Sequence, residues 1–170
     1  MHIKEMIYLN REAKKGLWEY IHAHDSMIDE VHGNTYFSEP IAFEMDDGDI
    51  KESIRPYTMG RIIDVEGFLK DYPCDPDGGT LLIELDITDK LLSWNNRSFQ
   101  VCFEDGHCHL TDRPAEYKLK MDIATLTTLL LGYKTAERLY ELERISGKKE
   151  AVDRLDDVLF HKIPYISDYI

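Results

Sequence analysis

The chain has 170 residues, 43% of them apolar and 31% charged, with only 10 Gly and 6 Pro; this is enough material for one ordinary domain or two small ones, and it excludes disorder and low complexity. Lys and Arg number 20 and Asp and Glu 33, for a net charge of −13; such a field disfavours nucleic acid and anionic membrane, which reward positive charge, and favours cationic ligands. The odd set of cysteines, Cys74, Cys102 and Cys108, behind an N-terminus without an apolar export segment, points to reduced thiols in the cytoplasm, and no apolar run of about 18 residues predicts a membrane span.

Residues 3–9, IKEMIYL, read as a strand. Asn10 then caps a helix whose Ala13, Leu17, Ile21 and His24 share a face, with Trp18 beside them. Residues 26–32, SMIDEVH, read as a second strand and Gly33-Asn34 as a turn. A β-α-β unit of this kind needs neighbouring strands. The polar stretch EMDDGDIKE (44–52) marks a boundary, and RPYTMGRIIDV (55–65) reads as an entry into a strand. Asp64 caps a short helix that buries Phe68 and Leu69 and ends at Tyr72-Pro73, and residues 75–79 form a turn.

From residue 80 the pattern is β. In TLLIELDIT, Leu81, Ile83, Leu85 and Ile87 fall on one face. SFQVCFEDGHCHLTD reads as a hairpin around a two-residue Asp105-Gly106 loop. That register pairs Phe103 with Cys108 and Val101 with Leu110 on one face, and Cys102 with His109 and Glu104 with His107 on the other. YKLKMDI (117–123) is a further strand. Asp122 then caps a helix over Ile123–Leu131 that Gly132 ends. Thr135 caps a second helix bearing Leu139, Leu142 and Ile145. Residues 149–160 form a third, with Ala151, Leu155, Val158 and Leu159 on one stripe.

The phosphate-binding, dinucleotide-binding, zinc-protease and nucleophile-elbow motifs are all absent from the sequence. Residues 73–84 resemble a calcium loop at Asp75, Asp77, Gly78 and Glu84, but Pro73 occupies the first ligand position and rules calcium out. Asn96-Arg97-Ser98 matches a glycosylation sequon, which is idle without export. Cys102, His107, Cys108 and His109 have zinc-ligand chemistry. The hairpin register sends Cys108 to the opposite face, so the plainer reading is a buried thiol under a polar outer face, and no metal is assigned. His22, His24 and Asp25 have general-base chemistry, but His22 and His24 do not share a helix face, and a helix-terminal role is the plainer one.

The chain closes on HKIPYISDYI. Leaving Pro164, Tyr165, Ile166, Tyr169 and Ile170 in water would cost about 25 cal/mol per Å² of apolar surface, so the tail is expected to dock. A docked tail carries its terminal carboxylate into a defined place. There it could serve as a general base of raised pKa, or the tail could simply fill a groove.

Five segments together carry a family resemblance: residues 3–31; RPYTMGRIIDVEGFLKDYP (55–73); SWNNRSFQV (93–101); LTTLLLGYKTAERLYELERI (126–145); and PYISDYI (164–170). In this order they resemble the C-terminal half of the Eis-like ("enhanced intracellular survival") acetyltransferases of the GNAT class. The resemblance implies an α+β chain with two parts. Residues 1–57 would be the end of a second GNAT-like lobe. Residues 58–170 would be a sterol carrier protein 2-like domain, a mixed or antiparallel sheet with helices packed on one face, followed by a docking tail.

The resemblance also implies a function. Members transfer acetyl groups from acetyl-CoA to amines, aminoglycosides among them. The terminal carboxylate, here that of Ile170, acts as the general base in the complete enzyme. Asp168 lies one step from the position of an acidic substrate contact. This sequence lacks the [QR]-x-x-G-x-[GA] acetyl-CoA loop, and the family's catalytic tyrosine, the general acid, would lie outside it. No cofactor is therefore assigned to this chain, and no activity is expected of it alone. The partners implied are an N-terminal GNAT domain, a cationic amine and further copies of the chain in a homo-oligomer. The alternative is a non-enzymatic module that holds an apolar ligand between its sheet and the helix of Leu126, Leu129 and Leu130, or that only oligomerises.

Overall fold

The computed structural model describes residues 1–36, 39, 41–45, 50–54, 59–164 and 166. The chain forms two units, Met1–Arg55 and Pro56–Ile170.

In the first unit, β1 (His2–Ile3) and β2 (His32–Gly33) pair in parallel across α1 (Arg11–His22). Asn10 caps α1 by accepting from the Ala13 amide at 2.8 Å. A four-residue α2 (Ile41–Glu44) follows. Lys14 joins these pieces by ion pairs of 2.6 Å to both Glu39 and Glu44, while the Tyr8 hydroxyl donates to Glu39 at 2.8 Å. The half-buried stripe of α1 is Lys14, Leu17, Trp18 and Ile21, with His24 half-buried just past the helix end; Ala13, expected on the same face, is exposed.

Both strands are much shorter than the apolar runs predict. Residues 4–9 leave the ladder, and Asp25–Met27 forms a 3₁₀ turn where a strand was expected. The physical reason is the missing sheet. Among the described residues of this unit none is fully buried, and a two-stranded parallel pair gives a long strand nothing to pack against. The turn also satisfies its own backbone: Met27 N–H donates to His24 O and Ile28 N–H to Asp25 O.

The second unit is a five-stranded mixed sheet in the order β5-β4-β3-β6-β7. Its strands are β3 (Leu81–Thr88), β4 (Ser98–Glu104), β5 (His107–Leu110), β6 (Tyr117–Asp122) and β7 (Ser146–Gly147). The β3–β6 pair is parallel and the others antiparallel. The β4–β5 register follows the Asp105-Gly106 loop as expected, with Val101 opposite Leu110, Cys102 opposite His109, Phe103 opposite Cys108 and Glu104 opposite His107. Both loop residues have positive φ, 50° and 79°, as a type I′ turn requires.

Alternation in β3 is complete, with Leu81, Ile83, Leu85 and Ile87 buried. They pack with Phe99, Val101, Phe103, Leu119 and Met121 against helices on one face. These helices are α3 (Val65–Lys70), α4 (Ile123–Leu130), α5 (Ala136–Glu141) and α6 (Lys149–Val158). Caps fall where expected: Asp64 accepts from Gly67 N, Asp122 from Thr125 N and Thr135 from Arg138 N. Leu126, Leu129 and Leu130 belong to the continuous core.

Two expectations fail here. Helix α5 stops at Glu141, so Leu142 is exposed, while Ile145 reaches the core from the loop beyond. Residues 59–64 form no strand, because side chains take up their backbone groups: Ile62 N–H donates to Thr127 Oγ1, and Ile63 O accepts from Trp94 Nε1 and Asn95 Nδ2. Among the described residues no helix is long and apolar enough to cross a membrane.

Candidate functional site

The tail begins where α6 ends. Leu159 is buried, His161 Nε2 lies 3.0 Å from Asp156 O, and the Lys162 carbonyl is pressed against Gly132. Gly132 has φ +75°, and a Cβ there would collide with Lys162 O, so only glycine allows this crossing. Past it, Ile163 and Ile166 turn apolar surface to solvent, being 44% and 53% exposed. Ile170 and Asp168, the residues expected to act as base and substrate contact, lie outside the described residues, as do Tyr165 and Tyr169.

A groove of about 380 Å³ lies at the same end of α4, lined by Gly60, Arg61, Ile63, Phe68 and Leu131 among others. Its floor segment is held by a polar hub centred on Asp89. The Arg61 guanidinium donates to Asp89 Oδ1 at 2.6 Å and Oδ2 at 2.8 Å. The Leu91 and Leu92 amides and Asn95 Nδ2 donate to the same carboxylate. Asn95 in turn accepts from the Val65 amide at 3.1 Å, which fixes the start of α3. Burial pushes the Asp89 pKa up, but the Leu91 amide, Asn95, the Leu92 amide and Arg61 outweigh it and pull the carboxyl down to about 2. Asp89 thus stays charged and locks the groove wall.

The outer face of the hairpin brings Cys102, Glu104 and His109 together, their ligand atoms within 4.8 Å of one another. Arg113 Nη2 donates to Cys102 Sγ at 2.8 Å and to Glu104 Oε2 at 3.2 Å. Arg113 holds the Glu104 carboxyl below its ordinary range, whereas burial raises the Cys102 thiol. Cys108 lies in the core on the opposite face, its thiol pushed up to about 12 by burial and by Cys74 and Cys102. Burial raises Cys74 as well, so all three cysteines are protonated at neutral pH and poor nucleophiles.

At the end of α1, His22 is exposed, and His24 Nδ1 sits 2.8 Å from Tyr20 O with its ring 4.6 Å from that of Tyr20. His24 and Asp25 therefore belong to the helix end and its 3₁₀ turn, the plainer of the two readings.

Sequence reasoning missed the Asp89 hub and the convergence of Glu104 and Arg113 on Cys102. The first left a local signal, an Asp directly after a strand and a side-chain amide at Asn95 in a turn-rich loop. The second left a trace in the register, which already set Glu104 on the Cys102 face.

Comparison with known proteins fits this architecture. The family model of the sterol carrier protein domain matches residues 65–167, and that of the acetyltransferase (GNAT) domain matches residues 1–62. A conserved protein of Enterococcus faecalis V583, described as a "Probable N-Acyltransferase", superposes with TM-score 0.88 at 29% identity, over 99% of this chain and 44% of its own. A GCN5-related N-acetyltransferase from Anabaena variabilis ATCC 29413 gives 0.75 at 20%, over 96% of this chain and 42% of its own. Eis1 from Mycobacterium abscessus gives 0.75 at 20%, over 99% and 43%. No curated protein sequence matches the chain. The chain thus spans less than half the length of these solved relatives.

These matches define two parts, a GNAT-type acetyltransferase domain match over residues 1–62 followed by a sterol carrier protein domain over residues 65–167. The chain belongs to the sterol carrier protein domain family.

Proposed function

We propose that the chain serves an Eis-like N-acetyltransferase that moves acetyl from acetyl-CoA to cationic amines, aminoglycosides among them. The observation that carries this is the ordered pair of domain matches along one chain, superposing over 99% of its length on a relative described as an N-acyltransferase. In this reading Ile170 supplies its terminal carboxylate as general base, taking a proton from the amine as its nitrogen bonds to the thioester carbonyl carbon, while the C–S bond breaks and CoA leaves as the thiol, protonated by an acid of the partner GNAT domain. Asp168 contributes negative charge to the substrate cleft. The net charge of −13 draws a cationic acceptor toward the site. Acetyl-CoA is held by a partner GNAT domain, and the assembly is a cytoplasmic homo-oligomer.

The root of the tail supports the reading. Leu159 is buried, His161 Nε2 meets Asp156 O and the Lys162 carbonyl lies against Gly132, so the chain past α6 runs along the body of the second unit as far as Lys162. The test is to mix the chain with an acetyl-CoA-binding GNAT domain of the same family. Acetyl transfer to a polyamine or aminoglycoside is expected from the mixture and not from this chain alone. Transfer that survives deletion of Ile170 would remove the base role.

A further inference from the structure

The outer face of the β4–β5 hairpin carries a cluster to which the proposed acetyl transfer assigns no role. Cys102 and His109 stand opposite each other across the two strands, and Glu104 is two residues further along β4. The pleat therefore sends all three side chains to one side. Their ligand atoms lie within 4.8 Å of one another, and His109 Nε2 is 3.6 Å from Glu104 Oε1. Two ligands about 2.1 Å from a tetrahedral ion are about 3.4 Å apart, so this pair needs little adjustment. The alternation of β4 breaks at Cys102, which is fully buried on the outer face, while the His109 and Glu104 side chains are 44% and 35% exposed. The cluster is thus sealed beneath and open above.

We propose that Cys102, Glu104 and His109 form a binding site for a divalent, borderline-soft metal ion, best matched by Zn²⁺, and that Arg113 is the resident cation which the metal displaces. The donor set argues for this. A thiolate excludes Mg²⁺ and Ca²⁺ as natural occupants, and thiolate with imidazole and one carboxylate is zinc chemistry. The thiolate and carboxylate together carry two negative charges, which balance the dication. On binding, the Cys102 S–H bond breaks, its proton passes to solvent, and an S–metal bond forms. Arg113, whose side chain is 48% exposed, swings out into water. The fourth position falls to water.

The site has a structural use. Strand β5 is short and lies at the edge of the sheet, paired along its length with β4 and on its other side only by a single bridge from Pro73 to His107 among the described residues. A metal bridging Cys102 and Glu104 to His109 staples that edge.

The test uses the untagged, reduced, EDTA-treated full chain, titrated with Co²⁺ and then with Zn²⁺. One equivalent of Co²⁺ is expected to give a thiolate-to-cobalt charge-transfer band together with the visible bands of a tetrahedral ion, and Zn²⁺ should abolish both. Cys102→Ser should lose the charge-transfer band. His109→Ala, a change at a half-exposed side chain that leaves circular dichroism native, should weaken Co²⁺ binding by about tenfold or more. Arg113→Ala should tighten it, because the competing cation is gone. A charge-transfer band that is absent, or that persists in Cys102→Ser, overturns the site. Unchanged or weaker binding by Arg113→Ala overturns the displacement.

Discussion

Asp89 and Arg61 meet through both carboxylate oxygens, at 2.6 and 2.8 Å, and this contact ties the segment before α3 to the loop after β3. The Asp89 side chain is fully shielded, while that of Arg61 is 35% exposed. The buried charge therefore does not rest on Arg61 alone. Two backbone amides and Asn95 share it, which is how a carboxylate survives in the interior.

That arrangement fixes a pH dependence. The folded pKa of Asp89 is about 2, below the roughly 3.9 of an unfolded aspartate. Its contribution to stability is thus fully present above about pH 4 and is lost as pH falls from about 4 toward 2. The melting temperature of Asp89→Asn should lie below that of the natural protein at neutral pH, and the gap should narrow over that window. A gap that stays constant down to pH 2 contradicts the assignment.

Gly132→Ala should loosen the root of the tail. A non-glycine residue at φ +75° costs about 1–2 kcal/mol, and the new Cβ must also push away the Lys162 carbonyl. Chemical denaturation should report at least that loss. Limited proteolysis should show faster cutting beyond Leu159 while the sheet remains intact.

The first amides of α5 have an unusual cap. Asp156, on α6, accepts from Ala136 N at 2.6 Å and from Glu137 N at 2.8 Å, in addition to the Thr135 cap on Arg138 N. Asp156→Ala should cost about 1–2 kcal/mol, the upper part of the range for a lost N-cap, since two donors lose their acceptor. Thr135→Ala should cost about 1 kcal/mol. Because both act on one helix end, the double variant should fall short of the sum, a shortfall that a double-mutant cycle measures.

The parts legible in the sequence are those set by local pattern. The period-two run of Leu81–Ile87, the Asp105-Gly106 turn and the caps at Asp64, Asp122 and Thr135 each depend on residues within a few positions. The parallel pairing of β3 with β6 depends on positions over thirty apart, such as Ile83 with Tyr117, and nothing local announces it. The same holds for the Asp89 hub, whose members come from the segments around residues 61, 89 and 95. In the first unit the error ran the other way. IKEMIYL and SMIDEVH have strand-like composition, but without a wider sheet the pairing stops after two residues.

The remaining prediction concerns the end of the chain. If the Ile170 carboxylate is the base, deleting Ile170 moves the carboxylate back onto Tyr169, by about 3.5 Å of extended chain. A general base must sit within about 3 Å of the proton it takes, so a displacement of that size removes it from reach. In the reconstituted enzyme kcat should fall by about 10²-fold or more, the usual worth of general-base catalysis, with KM for the amine little changed. Replacing Ile170 with Leu keeps the carboxylate in place and should retain most of the activity. Asp168→Asn should act oppositely, raising KM for a cationic amine while leaving kcat near its original value. Steady-state kinetics on these variants separates the roles, and a kcat that survives loss of Ile170 assigns the proton transfer to another group.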